Sequence, residues 1–335
     1  MTHEKVDLKL KDGITVQAIA PVILSASRAT DLPAFFHTWF NNRLNDGYSV
    51  WYNPYSKQPQ YISYEKVKGI VFWSKDPNES FIGWTLLKVK SLGIDFYLQY
   101  TLNDYESEGF EPELPPLTTR INKFKQISEK YGKDSVIWRF DPLILTKHTD
   151  IDELTSRIEF IGDQLKGYTN KLVFSFIDIN TYKSVQNKLI KETSYFTRDC
   201  ILNSEFSPEL MEKMAANIAN LRDKWKSEGW DLTLATCGEK FDLDKYDIQH
   251  NKCVDSEQFK KITHNEEFIK WLDENGGQKD KGQRLTCGCM LSKDIGAYNT
   301  CKHFCAYCYA NVSRDMVNSK LMFYNSATPW LIHEE

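Results

Sequence analysis

Short apolar runs alternate with longer amphipathic stretches along the chain. The runs are QAIAPVILSAS (17–27), YSVWYN (48–53), GIVFWSK (69–75), IDFYLQYT (94–101), SVIWRFDP (135–142), KLVFSFID (171–178) and DLTLATCGE (231–239). Several are apolar at consecutive positions, the pattern of strands buried on both faces of a parallel sheet. Between them, PAFFHTWFNNRLNDG (33–47) opens with Pro33 behind Asp31 and ends at Gly47, a helix with start and stop signals. LTTRINKFKQISEKYG (117–132) and IDELTSRIEFIGDQLKG (151–167) show apolar 3–4 spacing and end at Gly, and SPELMEKMAANIANLRDKWKSEG (207–229) is the longest helical pattern. The alternation predicts an α/β fold with a parallel sheet and right-handed crossovers. At 335 residues the expectation is a parallel (β/α) barrel, TIM-like, complete or partial. An open doubly wound sheet is the alternative, without the dinucleotide fingerprint, because no GxGxxG follows the first run. No eighth run stands out; the stretch around 284–290 is the place left for one.

Each predicted strand ends in polar residues. Ser25, Ser27, Arg28 and Asp31 follow the first, Asn53 the second, and Lys75 and Asp76 the third. Gln99 and Thr101 close the fourth, Arg139 and Asp141 the fifth, Asp178 the sixth, and Cys237 and Glu239 the seventh. In a barrel these ends share the face on which active sites form. Helix capping accounts for Asp31 and Asp76. It does not account for Arg139, which lies between aromatics in VIWRFDP and needs Asp141 or a bound anion as partner. Arg28, Lys75, Arg139, Asp141 and Glu239 are therefore the candidate catalytic residues, with Asn53 and Gln99 as candidate cofactor contacts.

Composition narrows the classes. Lys plus Arg is 42 and Asp plus Glu is 46, a formal net charge of -4 without a basic stripe, which disfavours a nucleic-acid binder. No apolar run reaches membrane-spanning length, so no membrane partner is expected. The start, MTHEKVDLKLKDG, is too charged for a signal peptide, so the expectation is cytoplasmic. Aromatic residues make up 13%; most of those along the strands are expected in the core, with a few left to stack on a base or adenine.

Cysteine placement is the most specific signal. Of eight cysteines, five lie between 287 and 308, and in a reducing compartment such clustering favours metal over disulfides. Cys301, Cys305 and Cys308, in CKHFCAYCYA, have the spacing C-x3-C-x2-C. Three thiolates on one short loop can hold three irons of a [4Fe–4S] cluster and leave the fourth iron open. Zinc is the rival, since C-x2-C is half of a zinc knuckle and His303 stands within the loop. Cys237, Cys253, Cys287 and Cys289 form a possible second metal site, for zinc or a second cluster. Cys200 has no such company and reads as structural.

The stretch CKHFCAYCYA looks like the cluster loop of spore photoproduct lyase and related radical S-adenosylmethionine (SAM) proteins. That resemblance implies SAM on the open iron, an external electron donor, and Tyr307 as the aromatic beside the cofactor. Two features depart from it: the loop comes last rather than after the first strand, and no GGE-like motif follows. On a larger scale, ILSASRATDLPAFF, NNRLNDGY, GIVFWSKDP, FYLQYTL, VIWRFDP, GYTNKLVFSFID and CGCMLSKDIGAYNTCKHFCAYCYAN together resemble the prokaryotic family called domain of unknown function 1848. The resemblance runs from about residue 20 to about residue 315 and implies the same cluster motif at Cys301, Cys305 and Cys308.

These readings predict a barrel over 1–283 and a cysteine-rich segment over 284–335 packed on its mouth. The functional expectation is an iron–sulfur enzyme of radical SAM type acting on an unidentified substrate, for which the loop's resemblance implies a nucleotide or nucleic-acid-derived molecule. The alternative is a non-catalytic zinc or iron–sulfur protein that binds a ligand or partner.

Overall fold

The computed structural model describes residues 3–280, 282–284 and 286–333. Glu4–Lys9 (β1) and Thr15–Ala20 (β2) form an antiparallel hairpin, and the chain enters its main sheet only at Ile23–Ala26 (β3). The run 17–27 is thus two strands in two sheets. Pro21 sits between them, with no amide hydrogen to continue a ladder. The elements that follow are Leu32–Phe35 (α1), His37–Asp46 (α2), Tyr48–Tyr52 (β4), Pro59–Ser63 (β5), Gly69–Ser74 (β6), Leu86–Ser91 (α3) and Asp95–Thr101 (β7). Then come Leu117–Tyr131 (α4), Val136–Leu143 (β8), Ile151–Leu165 (α5), Lys171–Phe176 (β9), Lys183–Glu192 (α6), Pro208–Ser227 (α7) and Thr233–Thr236 (β10). The last are Ile248–His250 (β11), Ser256–Ile262 (α8), Glu266–Asn275 (α9), Lys293–Asp294 (β12) and Arg314–Leu321 (α10).

The main sheet has eight parallel strands in the order β11-β10-β9-β8-β7-β6-β3-β12. Neighbours follow chain order and the last strand lies beside the first, which a doubly wound order does not give. Among the described residues no ladder joins β11 to β12, so the sheet is not a closed barrel. The predicted strand 48–53 is a correction: β4 pairs antiparallel with β5 at the edge of a separate four-stranded sheet, β1-β2-β5-β4. Residues 328–330 tie that sheet to α2: the Val50 amide donates to the Pro329 carbonyl (2.7 Å) and the Trp39 indole to the carbonyls of Thr328 (3.0 Å) and Trp330 (2.9 Å).

Alternation along each main-sheet strand separates two cores. Leu24, Ile70, Phe72, Phe96, Leu98, Trp138, Leu172 and Phe174 face one way, into a large core they share with α2, α4, α5 and α7. The helices show why they lie there: Asp150 caps α5 through the Glu153 amide, and Ile151, Leu154, Ile158, Ile161 and Leu165 form its buried stripe. Ile23, Val71, Tyr97, Ile137, Val173 and Ala235 face the other way, into a second core with Phe259, Phe268, Leu272 and Met290. This inner face is covered by α8 and α9. Gly69 is required at its edge, because a Cβ there would stand 2.7 Å from the Phe259 ring.

Two residues further along each strand, the inner face turns polar. Ser25, Trp73, Gln99, Arg139, Ser175 and Cys237 follow Ile23, Val71, Tyr97, Ile137, Val173 and Ala235. The sheet therefore has an apolar inner floor and a polar carboxyl edge.

Candidate metal centres at the carboxyl edge

Arg139 organises the polar edge. Its Nη1 donates to Gln99 Oε1 (3.0 Å) and lies 3.4 Å from Cys253 Sγ, and its Nε donates to Asp141 Oδ2 (3.1 Å). Burial disfavours the charge of the guanidinium, but Cys253 and Asp141 favour it and raise its pKa above the ordinary value. Gln99 Nε2 and the Tyr97 hydroxyl both donate to the Cys253 carbonyl, at 3.0 and 2.8 Å. Asp141 also accepts from the Ser175 hydroxyl, and its amide donates to Asn103 Oδ1 (2.9 Å). The partner that sequence reasoning assigned to Arg139 is therefore present, and a thiol sits beside it. Glu239 accepts from the Phe176 amide at 3.1 Å; burial, then nearness to Asp141 and Asp178, pushes its carboxyl up to about 7.

A cluster of four thiols begins at Cys253, beside Arg139. Cys237 follows β10, Cys253 follows β11, and Cys287 and Cys289 precede β12. Cys237 Sγ and Cys253 Sγ stand 3.4 Å apart, Cys253 touches Cys289, and Cys289 touches Cys287. The Cys289 sulfur accepts the amides of Cys253 (3.2 Å) and Val254 (3.4 Å), while Cys253 Sγ receives Asn251 Nδ2 at 3.4 Å as well as Arg139. Arg28 approaches Cys289 from the β3 side; its Nη1 donates to Ser25 Oγ (3.0 Å) and its guanidinium lies 5.0 Å from the Trp73 ring centre. The thiols form a chain of pairwise contacts. Among the described residues, no three His, Cys, Asp or Glu side chains already surround one point as a metal would require.

The Cys301–Cys308 loop lies across the β3–β7 side of the same edge. Its non-cysteine side chains are its anchors. His303 Nε2 is 2.8 Å from Asp31 Oδ2, which also accepts the Ser74 hydroxyl (2.9 Å) and the Lys75 amide (2.9 Å). His303 therefore belongs to this buried network, with its ring 4.6 Å from that of Phe35. The Tyr307 hydroxyl accepts from Lys75 Nζ (2.7 Å) and Asn103 Nδ2 (3.0 Å) and donates to Glu111, which also pairs with Lys75 at 2.8 Å. Burial opposes ionisation of Glu111, yet Lys75 and Arg120 pull its carboxyl below the ordinary value. The Ala306 amide donates to the Phe110 carbonyl at 2.9 Å, and Lys188 Nζ donates to the carbonyls of Cys308 and Asn311. Cys305 is buried, Cys301 and Cys308 are half-buried. Burial pushes the Cys305 thiol up to about 12, with Lys75 and Lys188 pulling the other way.

Beside Cys308 lies an aromatic surface. The rings of Tyr182 and Tyr309 stack at 5.6 Å and 25°, and Arg284 lies 5.3 Å from the Tyr182 ring centre. Tyr298 adjoins Tyr309, and both are about half exposed, at 47% and 48%.

Residues 23–310 match the model of the family described as Domain of unknown function (DUF1848). The chain belongs to that family. No curated protein matches it. Among solved structures it is similar to the crystal structure of a putative alpha-L-fucosidase from Bacteroides thetaiotaomicron VPI-5482, at 10% identity over 59% of this chain and 72% of that one. The TM-score is 0.24, too low to carry an argument about fold or activity.

The DUF1848 region thus contains both cysteine groups and all of the predicted site residues. Gln99, Arg139, Asp141 and Arg28 gather around the four-thiol chain, and Lys75 and Tyr307 gather at the three-cysteine loop. Asn53 is not brought to either. It turns the chain between β4 and β5, where its Oδ1 accepts the amides of Tyr55 (2.9 Å) and Ser56 (3.1 Å). Sequence reasoning missed Asn103, Glu111 and Lys188, which reach the loop from connections and a helix with no motif, and Asn251, whose signal was its place two residues before Cys253. A cavity of about 510 Å³ lined by Lys133, Asn170, Trp230 and Thr233 opens at the opposite, amino-terminal ends of β9 and β10. Among the described residues, no helix is long and apolar enough to cross a membrane.

Proposed function

We propose that this DUF1848 chain is an iron–sulfur enzyme of radical SAM type. On this reading residues 1–283 are a barrel-like body and residues 284–335 the metal-binding segment. Cys301, Cys305 and Cys308 hold three irons of a [4Fe–4S] cluster, and the open iron takes SAM. When bound, such a cluster supplies one-electron reducing power and an iron with an open coordination position. An external electron donor is then a required partner, and thiolate ligation fits a reducing, cytoplasmic compartment.

The observation that carries this reading is the division of labour within the loop. His303 and Tyr307 are engaged by Asp31 and by Lys75, Asn103 and Glu111, which leaves the three thiols as the loop's ligating groups. The donor type, three thiols on one short loop, is the one a [4Fe–4S] cluster takes. Three sulfurs lie within eight residues on a loop pinned by side-chain and backbone hydrogen bonds, and Lys75 and Lys188 stand near enough to offset thiolate charge. The Tyr182–Tyr309 stack next to Cys308, with Arg284, suits a planar anionic small molecule such as a nucleotide.

The second reading, a metal-binding protein without catalysis, is favoured by the same anchors. Tyr307, Lys75 and Arg139 all have internal partners, as structural residues do. Anaerobic purification with iron and sulfide analysis, then EPR of the reduced protein with and without SAM, separates them. Four irons tied to Cys301, Cys305 and Cys308, with a signal that changes on adding SAM, supports the enzyme. Iron without a SAM response leaves the second reading, and absence of iron removes both cluster assignments at this loop.

A further inference from the structure

The unclosed seam of the main sheet lies between β11 and β12, and the four-thiol chain sits on that seam. Cys253 leaves β11, Cys287 and Cys289 lead into β12, and Cys237 leaves the adjacent β10. We infer that Cys237, Cys253, Cys287 and Cys289 bind one Zn²⁺ ion that fastens this seam, where no strand ladder joins β11 to β12 among the described residues.

Three observations carry the assignment. The first is spacing. Four sulfurs about 2.3 Å from a tetrahedral zinc stand about 3.8 Å from one another. The Cys237–Cys253 separation of 3.4 Å is close to that edge, whereas the larger four-iron cube would need its thiolates spread apart. Cys289 adjoins Cys253, whose amide donates to its sulfur at 3.2 Å, and Cys287 stands two residues before it, so all four thiols belong to one cluster. The second is the hydrogen-bond environment. Two backbone amides point at the Cys289 sulfur, and an amide side chain and a guanidinium point at that of Cys253. Donors gathered on sulfur match thiolate ligands and their outer shell. The third is charge. Four thiols that bind Zn²⁺ release four protons and leave a net charge of −2. The guanidiniums of Arg28 and Arg139 stand beside the thiols and offset it.

This inference goes beyond the proposed function and does not depend on it, since it uses a different set of cysteines. The test is zinc and iron per chain in the full-length protein purified without oxygen, compared with Cys237→Ser/Cys287→Ser and with Cys301→Ala/Cys305→Ala/Cys308→Ala. The expected result is one zinc in the wild type, kept in the triple variant and lost in the double variant. Zinc absent from the wild type, lost with the triple variant, or replaced by iron that survives in the triple variant overturns it. X-ray absorption at the zinc edge of the wild type needs no variant to fold; four sulfur neighbours at about 2.3 Å are expected, and nitrogen or oxygen neighbours refute the four-thiolate site. Failure at Cys301, Cys305 and Cys308 would appear separately, as loss of iron with this zinc unchanged.

Discussion

Gly296 crosses the end of β3 so closely that a Cβ on it would stand 2.0 Å from Ser27 Oγ and 2.6 Å from Ser27 Cβ. The crossing is fixed on both sides: the Gly296 amide donates to Asp294 Oδ1 (2.9 Å) and its carbonyl accepts the Trp51 indole (3.1 Å). It sets the path from β12 into the three-cysteine loop. Gly296→Ala is therefore expected to destabilise the protein by about 2 kcal/mol, the range of overpacking, and to lower iron retention. In urea unfolding, Gly296→Ala should cost much less in a Ser27→Gly background than in the wild type. Because Ser27→Gly alone removes the acceptor of the Ala29 amide (2.9 Å), the comparison is a cycle: losses of the two single variants that simply add in the double variant would show that this contact is not the source.

The loop's support reaches back to a buried ion pair. Glu108 accepts from Arg157 through both oxygens, at 2.9 Å each, and from the Thr149 hydroxyl at 2.7 Å. It holds the connection that carries Phe110 and Glu111 to the Cys305–Tyr307 turn. Burial works against its charge, but Arg157 and Thr149 hold its carboxyl below the usual 4.5. A depressed carboxyl stabilises the fold above its unfolded value and loses that contribution as pH falls through the lower folded value. Glu108→Gln should thus cost about 1–2 kcal/mol at pH 7, because Arg157 loses this partner while keeping Glu153 (2.8 Å), and less at an acid pH below the lowered folded value. Equal losses at both pH values in denaturant titrations would rule out the ion pair as the cause.

The parts of the fold that were legible are those whose burial leaves a mark on sequence. The runs at 69–75, 94–101, 135–142 and 171–178 became β6 to β9, because a strand covered on both faces is apolar at nearly every position. A run of two or three residues carries no period, so β11 and β12 were invisible, although they define the seam. YSVWYN has the same composition whichever sheet receives it, and its placement was settled by the antiparallel partner β5. The site divides the same way. Cysteines announce themselves by spacing, and Arg139 by its apolar neighbours. Glu111 and Lys188 are ordinary charged residues until the fold carries them to Tyr307 and Cys308.

Lys188 offers a test of how the loop is held. Its ammonium is buried in α6 and donates to the carbonyls of Cys308 and Asn311. Lys188→Met keeps the stem but leaves both acceptors without this donor, at about 1–3 kcal/mol. Because α6 itself is not disturbed, helix content by circular dichroism should be unchanged while iron per chain falls severalfold. Full iron content in this variant would show that the loop is fixed without Lys188.

The exposed tyrosines beside Cys308 test the ligand. Tyr309 stacks on Tyr182, with 48% of its surface open, so it contributes to the body of the protein on one face only. Its loss should leave stability within about 0.5 kcal/mol, as for most surface substitutions. Stacking on a base is worth about 1–3 kcal/mol, which corresponds to a Kd for SAM raised by about 5- to 150-fold in Tyr309→Ala. Tyr309→Phe keeps the ring and should bind as the wild type does. Calorimetric titration of the iron-loaded protein reads both. An alanine variant that binds SAM with unchanged affinity would place the adenine away from this stack. A phenylalanine variant as weak as alanine would make the hydroxyl, rather than the ring, the contact.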